Sequence, residues 1–158
     1  MAGVKEAITI AQAKVEVTGW REAIRASCQP LVGSGAIEER YAERCIEIIE
    51  EQGPYIVVAP GIALAHARPE NGVKRLCLSV TTLNEPVEFG HPENDPVDLV
   101  FAFGSPDSEQ HIGLLQTLAE RLQEGLARRL REAQTSKELD SLMRAVANAV
   151  KKEPGCQG

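Results

Sequence analysis

The spacing of hydrophobic positions changes along the chain, and each change predicts an element. From Ile8 to Val17, β-branched and polar residues mix at a rough period of two, which predicts one strand or two short ones. Thr18 stands as an N-cap for a helix through Trp20 and Ile24 to about Leu31, stopped by Gly33 and Gly35. A second helix is expected from about Glu38. Its apolar residues Tyr41, Cys45, Ile48 and Ile49 fall at helical spacing, and Gly53-Pro54 ends it.

The middle of the chain has a different character. Tyr55 to Ala59 is a continuous apolar run of the kind a buried strand shows, Pro60-Gly61 is a turn, and Ile62 to Ala67 is a second apolar run holding one polar residue, His66. Arg75 to Leu83 and Val97 to Phe103 read as strands, and the polar stretch Asn84 to Pro96, with three prolines, as a loop or hairpin connection. The last third is helical. Ser108 is read as the cap of a helix with the apolar stripe Ile112, Leu115, Ala119 and Leu122, flanked by Leu114 and Leu118. Gly125 interrupts before Leu126 to Leu130. Thr135 and Glu138 form a capping box for a final helix carrying Leu139, Leu142, Met143, Val146 and Val150. Strands and helices interleave, so the class is α/β or α+β, one sheet covered by helices.

Size and composition narrow the function. At 158 residues and 17.1 kDa the chain is one domain, expected over 1–150, with a frayed tail over 151–158. Seventeen basic against 23 acidic residues leave a net charge of −6 with no basic block, which argues against a nucleic-acid partner. The first eleven residues carry Lys5 and Glu6 and no long apolar run, so no signal peptide is expected. The longest apolar runs fall far short of the ~20 residues that cross a bilayer, and a cytoplasmic protein without membrane insertion is expected. Cys28, Cys45, Cys77 and Cys156 are widely spaced, and the first three sit in apolar patterns as reduced core residues.

No Gly-rich phosphate loop with lysine, G-x-S-x-G elbow or H-E-x-x-H occurs, and Gly33-Ser34-Gly35 reads as a helix stop. Histidine is more informative. His91 lies among carboxylates in a turn-rich loop and reads as a solvated turn residue. His111 falls in the first turn of a helix, where the helix N–H groups and dipole depress protonation and favour an anion nearby. His66 ends an apolar segment among small residues. It is either a core histidine satisfied by one hydrogen bond or a nucleophile whose second nitrogen offers a lone pair. Separations of 25 and 20 residues between the three match no local zinc pattern.

The stretch Gly53-Pro54-Tyr55-Ile56-Val57-Val58-Ala59-Pro60-Gly61-Ile62-Ala63-Leu64-Ala65-His66-Ala67-Arg68-Pro69-Glu70-Asn71-Gly72-Val73 resembles the active-site region of the mannitol/fructose-type enzyme IIA components of the phosphoenolpyruvate-dependent sugar phosphotransferase system. Gly53-Pro54-Tyr55 and Arg68-Pro69-Glu70 most resemble the ascorbate branch. The likeness continues through Pro86-Val87-Glu88-Phe89 and Asn94-Asp95-Pro96-Val97-Asp98 to His111 and its leucine-rich helix, covering roughly Trp20 to Leu142. It implies a single α/β domain, a mixed β-sheet flanked by helices on both sides. It also implies a phosphoryl relay: a phosphohistidine carrier protein phosphorylates His66, His111 helps hold the phosphoryl oxygens, and a cysteine of a IIB component receives the group. No cofactor or metal is implied. Two departures stand out: Ala65 replaces a proline common before the histidine, and Ile49-Glu50-Glu51-Gln52 lacks the arginine of mannitol-type members, with Arg68 as a substitute charge. The same residues would serve a regulatory IIA-like phosphoprotein, and an inactive interaction domain is a third reading.

Overall fold

The computed structural model describes residues 8–152; residues 1–7 and 153–158, with Cys156, lie outside the described residues, as do the side chains of Ser108, His111 and 147–152, Val150 among them. In chain order the elements are β1 (Ile8–Val15), α1 (Trp20–Gly33), α2 (Glu39–Gln52), β2 (Val57–Ala59), β3 (Ile62–Ala65), a 3₁₀ turn (Pro69–Asn71), β4 (Cys77–Val87), β5 (Val97–Gly104), α3 (Ser108–Gln123), α4 (Leu126–Glu132) and α5 (Ser136–Lys152). The strands form one sheet in the order β1-β4-β5-β3-β2. β1 and β4 are parallel, as are β3 and β5, while β4–β5 and β2–β3 are antiparallel. This is the mixed α/β sheet that the sequence implied.

Period-two alternation sends each strand's side chains to opposite faces. On one face Ala63, Ala65, Cys77, Val100 and Ala102 pack against Ile24, Cys28 and Leu31 of α1 and Tyr41, Cys45 and Ile49 of α2. On the other, Ile62, Leu64, Leu78, Leu99, Phe101 and Phe103 meet Leu114 and Leu118 of α3, Leu126 and Leu130 of α4, and Leu139 and Met143 of α5. The sheet is sandwiched, and both cores hold large, fully buried side chains. The three described cysteines are buried and reduced, as expected.

Some boundaries differ from the sequence expectation. Asp107, not Ser108, caps α3: its carboxylate accepts from the Gln110 backbone N–H at 2.8 Å, a stronger acceptor than a hydroxyl. Gly19 occupies the cap position of α1, while Thr18 donates from its backbone N–H and its hydroxyl to Glu22 Oε1. The Thr135–Glu138 capping box is present, with reciprocal bonds of 3.1 and 3.2 Å. The connection begins later than Asn84, because β4 continues through Pro86 to Val87 in antiparallel pairing with β5.

The β2–β3 turn, Pro60-Gly61, is fastened from α4. Arg131 forks onto Asp98, with Nη2 at 2.9 Å from Oδ1, and Nη2 also donates to Pro60 O at 3.2 Å. Gly61 has φ +76, and a Cβ there would stand 2.5 Å from Arg131 Nη2. Gly61→Ala is therefore expected to cost roughly 1–2 kcal/mol in backbone strain, and more as Arg131 is displaced. Urea unfolding checks this: the midpoint should fall with an unchanged m value. Gly33→Ala, at a site with open space around it, should lose nothing.

Candidate active site

His66 follows the last residue of β3. The register Ala65↔Ala102 makes His66 and Phe103 the next neighbours across the parallel pair. Their rings stack, with centroids 5.3 Å apart and planes 29° from parallel, on the face that carries Leu64 and Phe101. Tyr55 approaches the imidazole edge-on at 5.9 Å. The ring is half-buried. Its Nδ1 lies 3.0 Å from Leu64 O. A carbonyl only accepts, so Nδ1 carries the proton, and in the neutral ring the lone pair sits on Nε2.

The backbone around His66 is held from the opposite face. Tyr41 of α2 accepts from the Ala67 N–H at 2.9 Å, and its hydroxyl proton faces Phe103 O at 2.8 Å and Ala67 O at 3.2 Å. Burial pushes its phenol well above the ordinary range. Ala65 is fully buried and laddered to Ala102, so the strand end is fixed without a proline ring. The sequence reading placed Tyr41 only in a core stripe. The available signal was a hydroxyl in an otherwise aliphatic buried row, since such a group needs partners.

β3 and β5 are parallel, so their C-terminal ends share one edge of the sheet. The chain leaves β5 at Gly104 and enters α3 at Ser108, which brings the first turn of α3, with His111, to the edge where His66 stands. The His111 side chain itself lies outside the described residues.

Other candidates fall elsewhere. His91 is a turn residue: its Nδ1 accepts from the backbone N–H groups of Glu93 and Asn94 at 3.1 and 3.0 Å, and Asp95 accepts from those of Phe89, Gly90 and His91. Arg68 extends into solvent, 81% exposed and 3.8 Å from Glu70, too loosely held to be a positioned charge. In α2, Glu50 pairs with Arg21 and Glu51 with Arg44 where the mannitol-type arginine would lie. Among the described residues no group of three or more His, Cys, Asp and Glu is arranged to hold a metal. The Cys45 thiol and burial push the Cys28 thiol well up, and burial pushes Cys77 up to about 12, so neither thiol is a nucleophile near neutral pH.

Tyr55, beside His66, is exposed, as are the charged side chains of Arg68 and Glu70 just after His66 in the chain. Tyr55, Val58 and Ile112 are exposed large hydrophobic residues. A groove of about 300 Å³ runs beside them between Val58, Ile62, Leu64, Phe101, Leu115 and Leu122.

The family model described as "Phosphoenolpyruvate-dependent sugar phosphotransferase system, EIIA 2" matches residues 5–146, and the chain belongs to that family. It is a phosphotransferase component that relays phosphoryl groups in sugar uptake. The ascorbate-specific PTS system EIIA component of Escherichia coli K12 is 37% identical over 132 residues, covering 82% of this chain and 86% of that protein. The solution structure of the mannitol-specific cryptic phosphotransferase enzyme IIA of Escherichia coli superposes with a TM-score of 0.77 at 31% identity, covering 86% of this chain and 92% of that one. The mannitol IIA in its complex with phosphorylated IIB, also from Escherichia coli, shares the fold at 23% identity and a TM-score of 0.72, covering 85% and 94% of the two chains.

The hydrogen bonds assign opposite tautomers to two histidines: Nδ1–H for His66 and Nε2–H for His91. Long-range ¹H–¹⁵N correlation spectra above pH 8 should show Nδ1 protonated in the first and Nε2 in the second. The same tautomer for both would contradict the geometry.

Proposed function

We propose that His66 is the phosphoryl acceptor of an ascorbate-type uptake system, and that Nε2 is the attacking atom. The observation that carries this is the Nδ1–Leu64 O hydrogen bond of 3.0 Å, which puts the lone pair on Nε2 while the ring stays stacked on Phe103. In the first step Nε2 attacks the phosphorus of the carrier protein's phosphohistidine, and the carrier's N–P bond breaks as the Nε2–P bond forms. In the second, the thiolate of a IIB cysteine attacks the same phosphorus, the S–P bond forms and Nε2 leaves. Nδ1–H offsets the positive charge of the phosphorylated ring by donating to the carbonyl throughout.

Phosphoryl transfer asks little covalent chemistry of the protein beyond positioning and donors for the spread negative charge. His111, in the first turn of a 16-residue helix at the same sheet edge, is assigned the role of a donor to the phosphoryl oxygens. The apolar surface around Tyr55 and Val58 is where the carrier and IIB dock in turn. No described helix is long and apolar enough to cross a membrane, and membership of the enzyme IIA family supports a relay working in the cytoplasm. The ascorbate-specific relative at 37% identity favours transport over the regulatory reading and supports an ascorbate-type system. The relay domain is assigned to 1–150, in keeping with the family match over residues 5–146.

Intact mass after incubation with phosphoenolpyruvate, enzyme I and the carrier should show one acid-labile phosphoryl group, absent in His66→Ala. Labelling that persists in His66→Ala moves the site elsewhere. His111→Ala should still be labelled but transfer roughly 10²–10³ times more slowly, the usual cost of a lost transition-state donor. An unchanged transfer rate removes His111 from the site.

A further inference from the structure

Tyr41 occupies a position that a structural tyrosine has no need to occupy. The parallel ladder between β3 and β5 ends at Ala65↔Ala102, and the next backbone donor on the β3 side that is bonded across is Ala67 N–H. It donates to the Tyr41 hydroxyl at 2.9 Å, and that hydroxyl faces Phe103 O at 2.8 Å. One phenol oxygen is thus spliced between the two strands where they would otherwise close. The splice spans the two residues that frame the nucleophile: Ala67 follows His66 in the chain, and Phe103 carries the ring on which the imidazole stacks.

Building on the assignment of His66 as the acceptor, we propose that Tyr41 is a positioning residue for phosphoryl transfer. By bridging Ala67 N–H and Phe103 C=O it keeps the strands apart at His66 and sets the angle at which Nε2 meets the phosphorus. The role needs the neutral phenol, because only that form both accepts and donates. The oxygen is sealed from solvent, with Tyr41 1% exposed, so the neutral form persists at any working pH. Leu64 O, which accepts from His66 Nδ1, belongs to the same short strand, and Tyr41 ties the end of that strand to β5 from a third element.

Tyr41→Phe removes the oxygen and nothing else. Single-turnover transfer from the phosphorylated carrier, measured well below the variant's melting temperature, should slow roughly ten- to hundredfold, the scale of a misplaced reacting group. The His66 ring ¹⁵N resonances should shift in the same variant. Ser79→Ala is the control. It removes a buried hydrogen bond, Ser79 to Ser27 O at 2.7 Å, between β4 and α1, and should keep the wild-type rate. A wild-type rate and unshifted ring resonances in Tyr41→Phe overturn the proposal. So does slowing in both variants in proportion to lost stability, which would make Tyr41 a plain core contact. Should Tyr41→Phe fail to fold, 3-fluorotyrosine placed at position 41 keeps the hydroxyl but weakens it as an acceptor. A slower rate with shifted His66 resonances is then expected, and no change in either rejects the idea. Failure of the His66 assignment looks different: wild type would not be labelled at His66 at all, while the ring resonances of the Tyr41 variants would still report whether Tyr41 positions the imidazole.

Discussion

The parallel pairing of β3 with β5 is the constraint on which the site depends. Parallel strands end at the same edge of a sheet, so the residue that follows β3 and the helix that follows β5 are brought together by topology alone. Register completes the placement. Ile62, Leu64 and His66 alternate onto the face of α3, while Ala63, Ala65 and Ala67 turn toward α1 and α2. A slip of one residue would bury the imidazole under α2 and present an alanine to the partner. The fork from Arg131 to Asp98 and Pro60 O, at the opposite end of β3, fixes the start of this short strand.

Division of labour between the two faces follows from side-chain size. Small residues on the α1–α2 side of β3, with Ala102 on β5, let the helices approach closely enough for a phenol to reach the backbone at Ala67 and Phe103. Large residues on the other side build the floor under the imidazole and line an apolar groove. The backbone around His66 is therefore steadied from the α1–α2 side by a buried polar contact, while the half-buried imidazole lies on the other face. Charge contributes little to this arrangement: the arginines of α1 and α2 are engaged in exposed ion pairs with neighbouring glutamates, which are individually weak.

Much of this was legible in the one-dimensional pattern. Period-two and helical spacings locate the strands and helices because burial on one face leaves a periodic trace. The Thr135–Glu138 box was readable because capping is local. Where a local rule had two candidates, the stronger acceptor won, which is why Asp107 and not Ser108 caps α3. His66 stood out as the one polar residue in an apolar run, and its Nδ1 is satisfied by Leu64 O, which puts the lone pair of the neutral ring on Nε2.

What the chain determined by itself is the set of elements, the faces they bury and the identity of an unusual histidine, because those depend on neighbours within one turn or one strand. Tertiary structure decided the rest. That Tyr41 bridges Ala67 and Phe103, 26 and 62 residues away, depends on strand order and register, which no local spacing records. The same is true of His91, read as a turn residue: only the fold shows that its Nδ1 and Asp95 both close that turn. Hydrogen bonds are short-ranged, so the function of a polar side chain is settled only when folding has chosen its partners.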